Sequence, residues 1–212
     1  MGVVTISASY GAGGSEIGPE VARRLGLEFV DRAITAGVAA KLGISEQDAE
    51  ARDERVDTGL WRVISSMSLL PDLACAGSLA RTTFSDERAF KEKTEQVLRE
   101  VAAGPGGVVL GRAAALVLAR VPHALHVRLD ADPGDRVDAM CRKTGASPRD
   151  VERDLHQNDS AREAYVRHLY RTDATDPRHY HLVIDSTALE RDVVTEVIVH
   201  AARARGVTKP CR

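Results

Sequence analysis

The stretch VVTISASYGAGGSEIGPEVARRLG, running from Val3 to Gly26, decides the fold. Its β-branched run Val3–Ser7 enters a glycine-rich turn. The turn passes directly into a segment that places Ile17, Val21, Ala22 and Leu25 on one helical face. A strand, a glycine turn and a helix in that order build an anion cradle, because the first amides of the helix have no intrahelical acceptor. Two phosphate-binding readings and one bland reading fit the stretch. As a dinucleotide fingerprint, Gly11 and Gly13 give G-x-G, and Asp31 lies where a ribose-binding acid stands. Glu16 then occupies the third glycine's place, and its carboxylate would face a pyrophosphate. As a P-loop, GxxxxGK[ST] lays over Ala8 to Ser15, keeping Gly13 and the hydroxyl of Ser15. That reading loses the first glycine, and Gly14 stands where the lysine belongs. The third reading is a tight turn that simply needs glycine.

The totals narrow the field. A chain of 212 residues that is 43% hydrophobic but only 4% aromatic predicts one domain around an aliphatic core. A net charge of -2 gives no basis for a nucleic-acid or anionic-membrane surface. Cys75, Cys141 and Cys211 are far apart and form no CxxC pair, which argues against a metal knuckle or disulfide framework and for a reducing cytoplasm. No apolar run reaches membrane-spanning length, and the first residues read as a core strand rather than a signal peptide.

Further along, the pattern predicts strands at 28–30, 108–110, 124–129 and 182–184. Helices are predicted at 34–42, 59–70, 73–80, 87–103, 113–120, 132–142, 148–170 and 189–204. Alternating strands and helices imply a central parallel sheet with helices on both faces. The region from about 45 to 83 reads as a helical insert. The stretch Pro148–Tyr170 is long, polar and arginine-rich.

The downstream segments carry a resemblance. Val109-Leu110-Gly111-Arg112, then Val121-Pro122 before Ala124–Leu129, then Asp132 and Arg136, follow an order seen in bacterial cytidylate kinases. Ile184-Asp185-Ser186-Thr187 resembles the close of their last strand, and Asp159–Tyr165 with Asp173–Tyr180 resembles their lid. The chain most resembles the divergent cytidylate kinase-like family, which opens on a similar Tyr-Gly-x-Gly-Gly turn and carries an aromatic-x-Asp like Phe29-Val30-Asp31.

The resemblance implies a P-loop NTPase fold: a three-layer α/β/α domain with a helical insert and a helical lid at about 143–180. It implies a nucleoside monophosphate kinase moving the γ-phosphoryl of ATP, with Mg²⁺, to CMP, dCMP or a similar acceptor. Gly11, Ala12, Gly13, Gly14, Ser15 and Glu16 would line the donor phosphates, with Ser15 reaching the metal and Arg136 stacking on adenine or pairing with Asp132. Arg112 and Asp31 would hold the acceptor. Arg112, Arg162 and Arg167 would serve the transferring phosphoryl group. The partners expected are small nucleotides, with neither nucleic acid nor membrane, and a homodimer through the insert.

Three departures bear on catalysis. Gly14 replaces the lysine, Ala113 replaces the acid that follows Gly-Arg, and Glu16 adds negative charge at the cradle. Arg162, Arg167, Arg171 and Lys143 are candidate replacements for the missing cation. A catalytically degenerate nucleotide-binding or regulatory protein is the alternative reading.

Overall fold

The computed structural model describes residues 2–31, 84–111 and 113–207. The chain divides into two compact units, Met1–Ala33 with Glu95–Arg212, and Ile34–Thr94. In the second unit the described residues 84–94 form the first part of a helix. The helices expected at 34–42, 59–70 and 73–80, and with them the insert at 45–83, lie outside the described residues.

The first unit is built on five parallel strands: β1 (Val3–Ala8), β2 (Phe29–Asp31), β3 (Gly107–Leu110), β4 (Ala124–Asp130) and β5 (Leu182–Asp185). Their spatial order is β2-β3-β1-β4-β5. β1 is therefore central, with Val4 in register with Val108 on one side and Leu125 on the other. The described helices are α1 (Gly14–Leu25), α2 (Phe84–Ala103), α3 (Ala114–Val117), α4 (Pro133–Thr144), α5 (Pro148–Tyr170) and α6 (Arg191–Ala204).

Both faces of the sheet are covered. On one, Ile17, Val21 and Leu25 of α1 and Val194, Ile198 and Ala202 of α6 pack on Val4, Ile6, Leu125, Val127 and Leu129. On the other, Leu98 and Ala102 of α2, Ala114 of α3 and Leu118 meet Val3, Val109 and Ala124. Each Val, Leu or Ile side chain among these, taken fully from water, contributes roughly 1.5–3 kcal/mol, and Val3, Val4 and Ile6 of the central strand are all buried.

The helix expected over 113–120 is shorter than its alanine-rich sequence suggests. Ala113 (φ 53°) and His123 (φ 57°) both take the left-handed conformation. Between them only Ala114–Val117 is helical, because the chain must turn back to enter β4. The last helix likewise starts at Arg191 rather than Leu189.

β4 alternates. Leu125, Val127 and Leu129 face α1 and α6, so Ala124, His126, Arg128 and Asp130 fall on the opposite face. That polar face is also buried, with His126 only 3% exposed and Arg128 7%. Its groups must therefore find partners inside the protein. His126 Nδ1 bonds Thr5 Oγ1 at 2.8 Å, and its amide donates to His181 Nδ1 at 2.9 Å. The two imidazoles stack with centroids 4.9 Å apart. Burial, with His181 and Arg205 nearby, pushes His126 down to about 4, so it is neutral at physiological pH.

Two residues before His181, His179 Nε2 bonds Thr172 Oγ1 at 3.0 Å. Among the described residues there is no group of three or more His, Cys, Asp or Glu that could hold a metal ion. Cys141 is a free thiol. No helix among the described residues is long and apolar enough to cross a membrane.

Candidate active site

Ser9 to Gly13 link β1 to α1 at the carboxyl edge of the sheet, where open α/β sheets bind ligands. Gly11 (φ 83°) and Gly13 (φ 73°) take left-handed conformations that suit glycine. A Cβ on Gly11 would also stand 3.1 Å from the Arg136 carbonyl oxygen and from Met140 Cγ, so α4 lies directly against the turn. Gly13 caps α1 without a side chain. Its carbonyl accepts from the amides of Glu16 and Ile17, and Ala12 N–H donates to Ser9 O. The N–H groups of Gly11, Gly13, Gly14 and Ser15 have no acceptor among the described residues. Converging unpartnered amides at a helix N-terminus form an anion cradle.

The turn is tied down by several elements. Ser9 N–H donates to Leu129 O of β4 at 3.1 Å. Tyr10 N–H donates to Asp159 Oδ1 of α5 at 2.8 Å, and the Tyr10 carbonyl accepts from Arg136 Nη1 of α4 at 3.0 Å. Ser186 Oγ, just beyond β5, donates to Ala12 O at 2.8 Å. The cradle is therefore held in shape before any ligand arrives.

Arg136 stands differently from its expected place. Rather than pairing with Asp132 or lying open to stack on a base, it is 6% exposed. It pairs with Asp159 Oδ2 at 2.5 Å while its Nε donates to Ala131 O at 3.1 Å. Asp132 instead caps α4, accepting from Gly134 N–H at 2.8 Å. The physical reason is that a cation sealed behind the turn needs a carboxylate partner, and Asp159 supplies it.

Sequence reasoning missed Arg128 and Asp159. Arg128 Nη2 donates to Ser9 Oγ at 3.0 Å and to Asp130 Oδ2 at 2.8 Å. Burial alone would raise the Asp130 carboxyl, but Ser9 and Arg128 outweigh it and hold it below the usual carboxylate range. The signal available for Arg128 was its place two residues before Asp130 on a buried strand, and Asp159 on a polar helix carried none.

Arg162 reaches this group from α5, with Nη1 3.6 Å from Asp159 Oδ1. That nitrogen is sealed from solvent and has no hydrogen-bond partner. Burial pushes the Arg162 guanidinium below its ordinary value, and Asp159 and Tyr10 offset part of that against Arg128 and Arg136. Arg167 is exposed, and its charge acts on Asp173. Arg171 is exposed at the left-handed cap of α5. Of the expected lid arginines, the structure brings Arg162 to the turn and leaves Arg167 and Arg171 outside it. Asp185 caps the turn after β5, accepting from Thr187 and Ala188 N–H at 3.0 and 3.1 Å.

Arg112 lies outside the described residues, and Asp31 is described only as the end of β2, in register with Leu110. The residues flanking 112 are informative. Gly111 (φ 76°) and Ala113 (φ 53°) both hold left-handed conformations at the end of β3. Aspartate tolerates that conformation better than alanine, so the backbone at 113 is one that the acid expected there would suit.

The missing lysine has a packing counterpart. A Cβ on Gly14 would lie 2.6 Å from Ala8 Cβ and 3.1 Å from Leu110 Cδ1. No side chain enters there unless β1 shifts. Beside it, Ser15 Oγ donates to Glu16 Oε2 at 3.4 Å, and the other Glu16 oxygen accepts from Lys143 Nζ.

The model of the cytidylate kinase-like family matches residues 3–188. The chain belongs to that family. It is 30% identical over 128 residues to a uronate isomerase of Corynebacterium glutamicum, a match covering 60% of this chain and 24% of that protein. The chain thus spans about a quarter of the length of the curated relative it matches. An uncharacterized protein from Eubacterium ventriosum ATCC 27560 superposes with a TM-score of 0.65 at 12% identity, over 96% of this chain and 99% of that one. A sugar kinase from Janibacter sp. HTCC2649 does so with a TM-score of 0.52 at 15% identity, over 99% of each chain. A gluconokinase from Sinorhizobium meliloti 1021 gives 0.50 at 16% identity, over 97% of this chain and 93% of that one. At such identities the likeness is one of fold, and the fold is that of the P-loop kinases. For this family member the glycine turn is thus a P-loop rather than a dinucleotide fingerprint.

Proposed function

We propose that this chain is a cytoplasmic ATP-dependent phosphotransferase, moving the γ-phosphoryl group of ATP to CMP, dCMP or a similar small acceptor. The observation that carries the reading is the set of unpartnered amides at Gly11, Gly13, Gly14 and Ser15, on a turn anchored by β4, α4, α5 and the end of β5. Phosphoryl transfer is mainly positioning and charge neutralisation, and preformed amides supply both without reorganisation.

In this reading the amides bind donor phosphate oxygens, and Arg162 Nη1 donates to the transferring group. Arg112 and Asp31 are assigned to the acceptor, and Arg167 to the transferring group from the lid. The cradle fits a polyphosphate anion, and Ser15 Oγ is the side-chain oxygen placed to meet a magnesium ion carried with it. Bound Mg²⁺ supplies charge neutralisation on the phosphate oxygens.

Incubation with Mg-ATP and a panel of nucleoside monophosphates, following ADP, tests the reading. Turnover with CMP or dCMP supports it. ATP binding without turnover on any acceptor replaces it with a nucleotide-binding, regulatory protein, a reading favoured by the absence of room for a side chain at Gly14. Absence of ATP binding by calorimetry overturns both. A second acceptor class belongs in the same panel. The match to part of a uronate isomerase suggests sugar acids, with one of their hydroxyl groups as the acceptor, and Ala113 leaves no acid at that position to read a base.

A further inference from the structure

The packing of Gly14 means that a cation for the donor phosphates must come from another element. Helix α4 is the element that lies on the turn. Arg136, Met140 and Lys143 recur at i, i+4 and i+7, which puts them on one helical face. Two of the three are placed against the turn directly: Arg136 donates to Tyr10 O at 3.0 Å, and Met140 Cγ is 3.1 Å from where a Gly11 Cβ would stand. The same face therefore carries Lys143 past Gly11 toward the start of α1, where its ammonium meets the carboxylate of Glu16.

That carboxylate is in an informative place. Glu16 lies in the first turn of α1, among amides without acceptors, with its Oε2 3.4 Å from Ser15 Oγ and 3.7 Å from where a Gly13 Cβ would stand. It has the positive end of the helix on one side and an ammonium on the other, which is also the environment a phosphate needs. Burial would raise its pKa, but Lys143, Arg191 and Ser15 hold it below the usual carboxylate range, so the carboxylate is charged at neutral pH.

Of the other cations near the turn, Arg162 stands beside Asp159 on α5, and two are committed to carboxylates. Arg136 is paired with Asp159 and Arg128 with Asp130, both guanidinium groups being less than a tenth exposed. Lys143 keeps 51% of its side chain exposed, which leaves it free to change partner.

We propose that Lys143, carried on α4, takes the place of the absent P-loop lysine, and that Glu16 is its displaceable counter-ion in the unliganded chain. When a polyphosphate enters the cradle, the ammonium passes from the Glu16 carboxylate to a phosphate oxygen. The carboxylate then turns out toward solvent. This inference rests on reading the turn as a phosphate site.

The test is calorimetric titration of the full chain with inorganic tripolyphosphate, on wild type, Lys143→Ala, Lys143→Arg and Glu16→Gln, with thermal melting of each. Removing one charge-assisted contact should weaken binding about 10- to 100-fold in Lys143→Ala. Lys143→Arg should recover part of that loss. Glu16→Gln should tighten binding several-fold, because the lysine no longer has to leave a partner. The opposite signs are the diagnostic, since a pair that is merely a strut would lose affinity and melting temperature with either substitution, and that result overturns the proposal. Equal affinity in wild type and Lys143→Ala also overturns it, while leaving the turn as a phosphate site. A wild type that binds neither tripolyphosphate nor ATP overturns both this inference and the function it rests on.

Discussion

His126 and Arg128 sit two residues apart on one face of one strand, and both are buried, yet they are satisfied in opposite ways. His126 is kept neutral, stacked on His181 and bonded to Thr5, in the interior of the sheet. Arg128 is ion-paired with Asp130 and bonded to Ser9, and belongs to a group with Arg136, Asp159 and Arg162 at the carboxyl edge. The difference teaches where this protein keeps buried charge. A neutral pair away from the turn is a packing solution. Several guanidinium groups held behind an anion cradle make a field, with Asp130 and Asp159 offsetting only part of it.

The strongest way to break this contrast is Arg136→Ala. It leaves the half-buried Asp159 with only the more distant Arg162 and the Tyr10 N–H, releases the Tyr10 carbonyl, and should cost about 3 kcal/mol in urea unfolding. A loss below about 1 kcal/mol would show that the edge group is not a structural unit.

Next comes acidification. The folded-state value of His126 is depressed to about 4 from 6.5. A base depressed on folding contributes stability that is present above its unfolded value and is lost as pH falls from about 6.5 toward about 4. The loss should reach roughly 3 kcal/mol, read as the change in unfolding free energy between pH 7 and pH 4. His126→Gln should remove most of that slope, whereas an unchanged slope would place the acid sensitivity in the carboxylates of the edge group.

The cradle itself gives a smaller effect. Gly14→Ala forces a methyl against Ala8 and should destabilise by about 1–3 kcal/mol, with Ala8→Gly restoring much of it. If Gly14→Ala melts like wild type, the strand behind the turn is more yielding than its contacts indicate. The smallest effect has the opposite sign. Ala113→Gly relieves a left-handed alanine and should stabilise the fold by up to about 1 kcal/mol, visible as a higher melting temperature.

The sheet was legible because its signals are local. Val3–Ser7, Ala124–Leu129 and the turn residues between strand and helix declare themselves through side-chain type and period, and the observed strands fall within a residue or two of the expected ones. The family was legible because separated motifs occur in a fixed order. The partners of the edge group were not legible, because they join residues distant in sequence. Nothing near Arg136 announces that its carboxylate is Asp159 on the following helix, and the nearer Asp132 was the reasonable guess. The packing at Gly14 was equally hidden. Sequence shows that a lysine is missing, but only the approach of Ala8 shows that there is no space for one.

One feature of the turn bears on how such a protein can change over generations. Asp159 and Arg136 grasp the peptide groups of Tyr10, not its ring. Drift at position 10 would therefore leave the grip intact for every amino acid that keeps an N–H, and only proline would break it. Selection on this contact would be recorded at 136 and 159, as paired changes in two helices, while the residue actually being held would look free to vary.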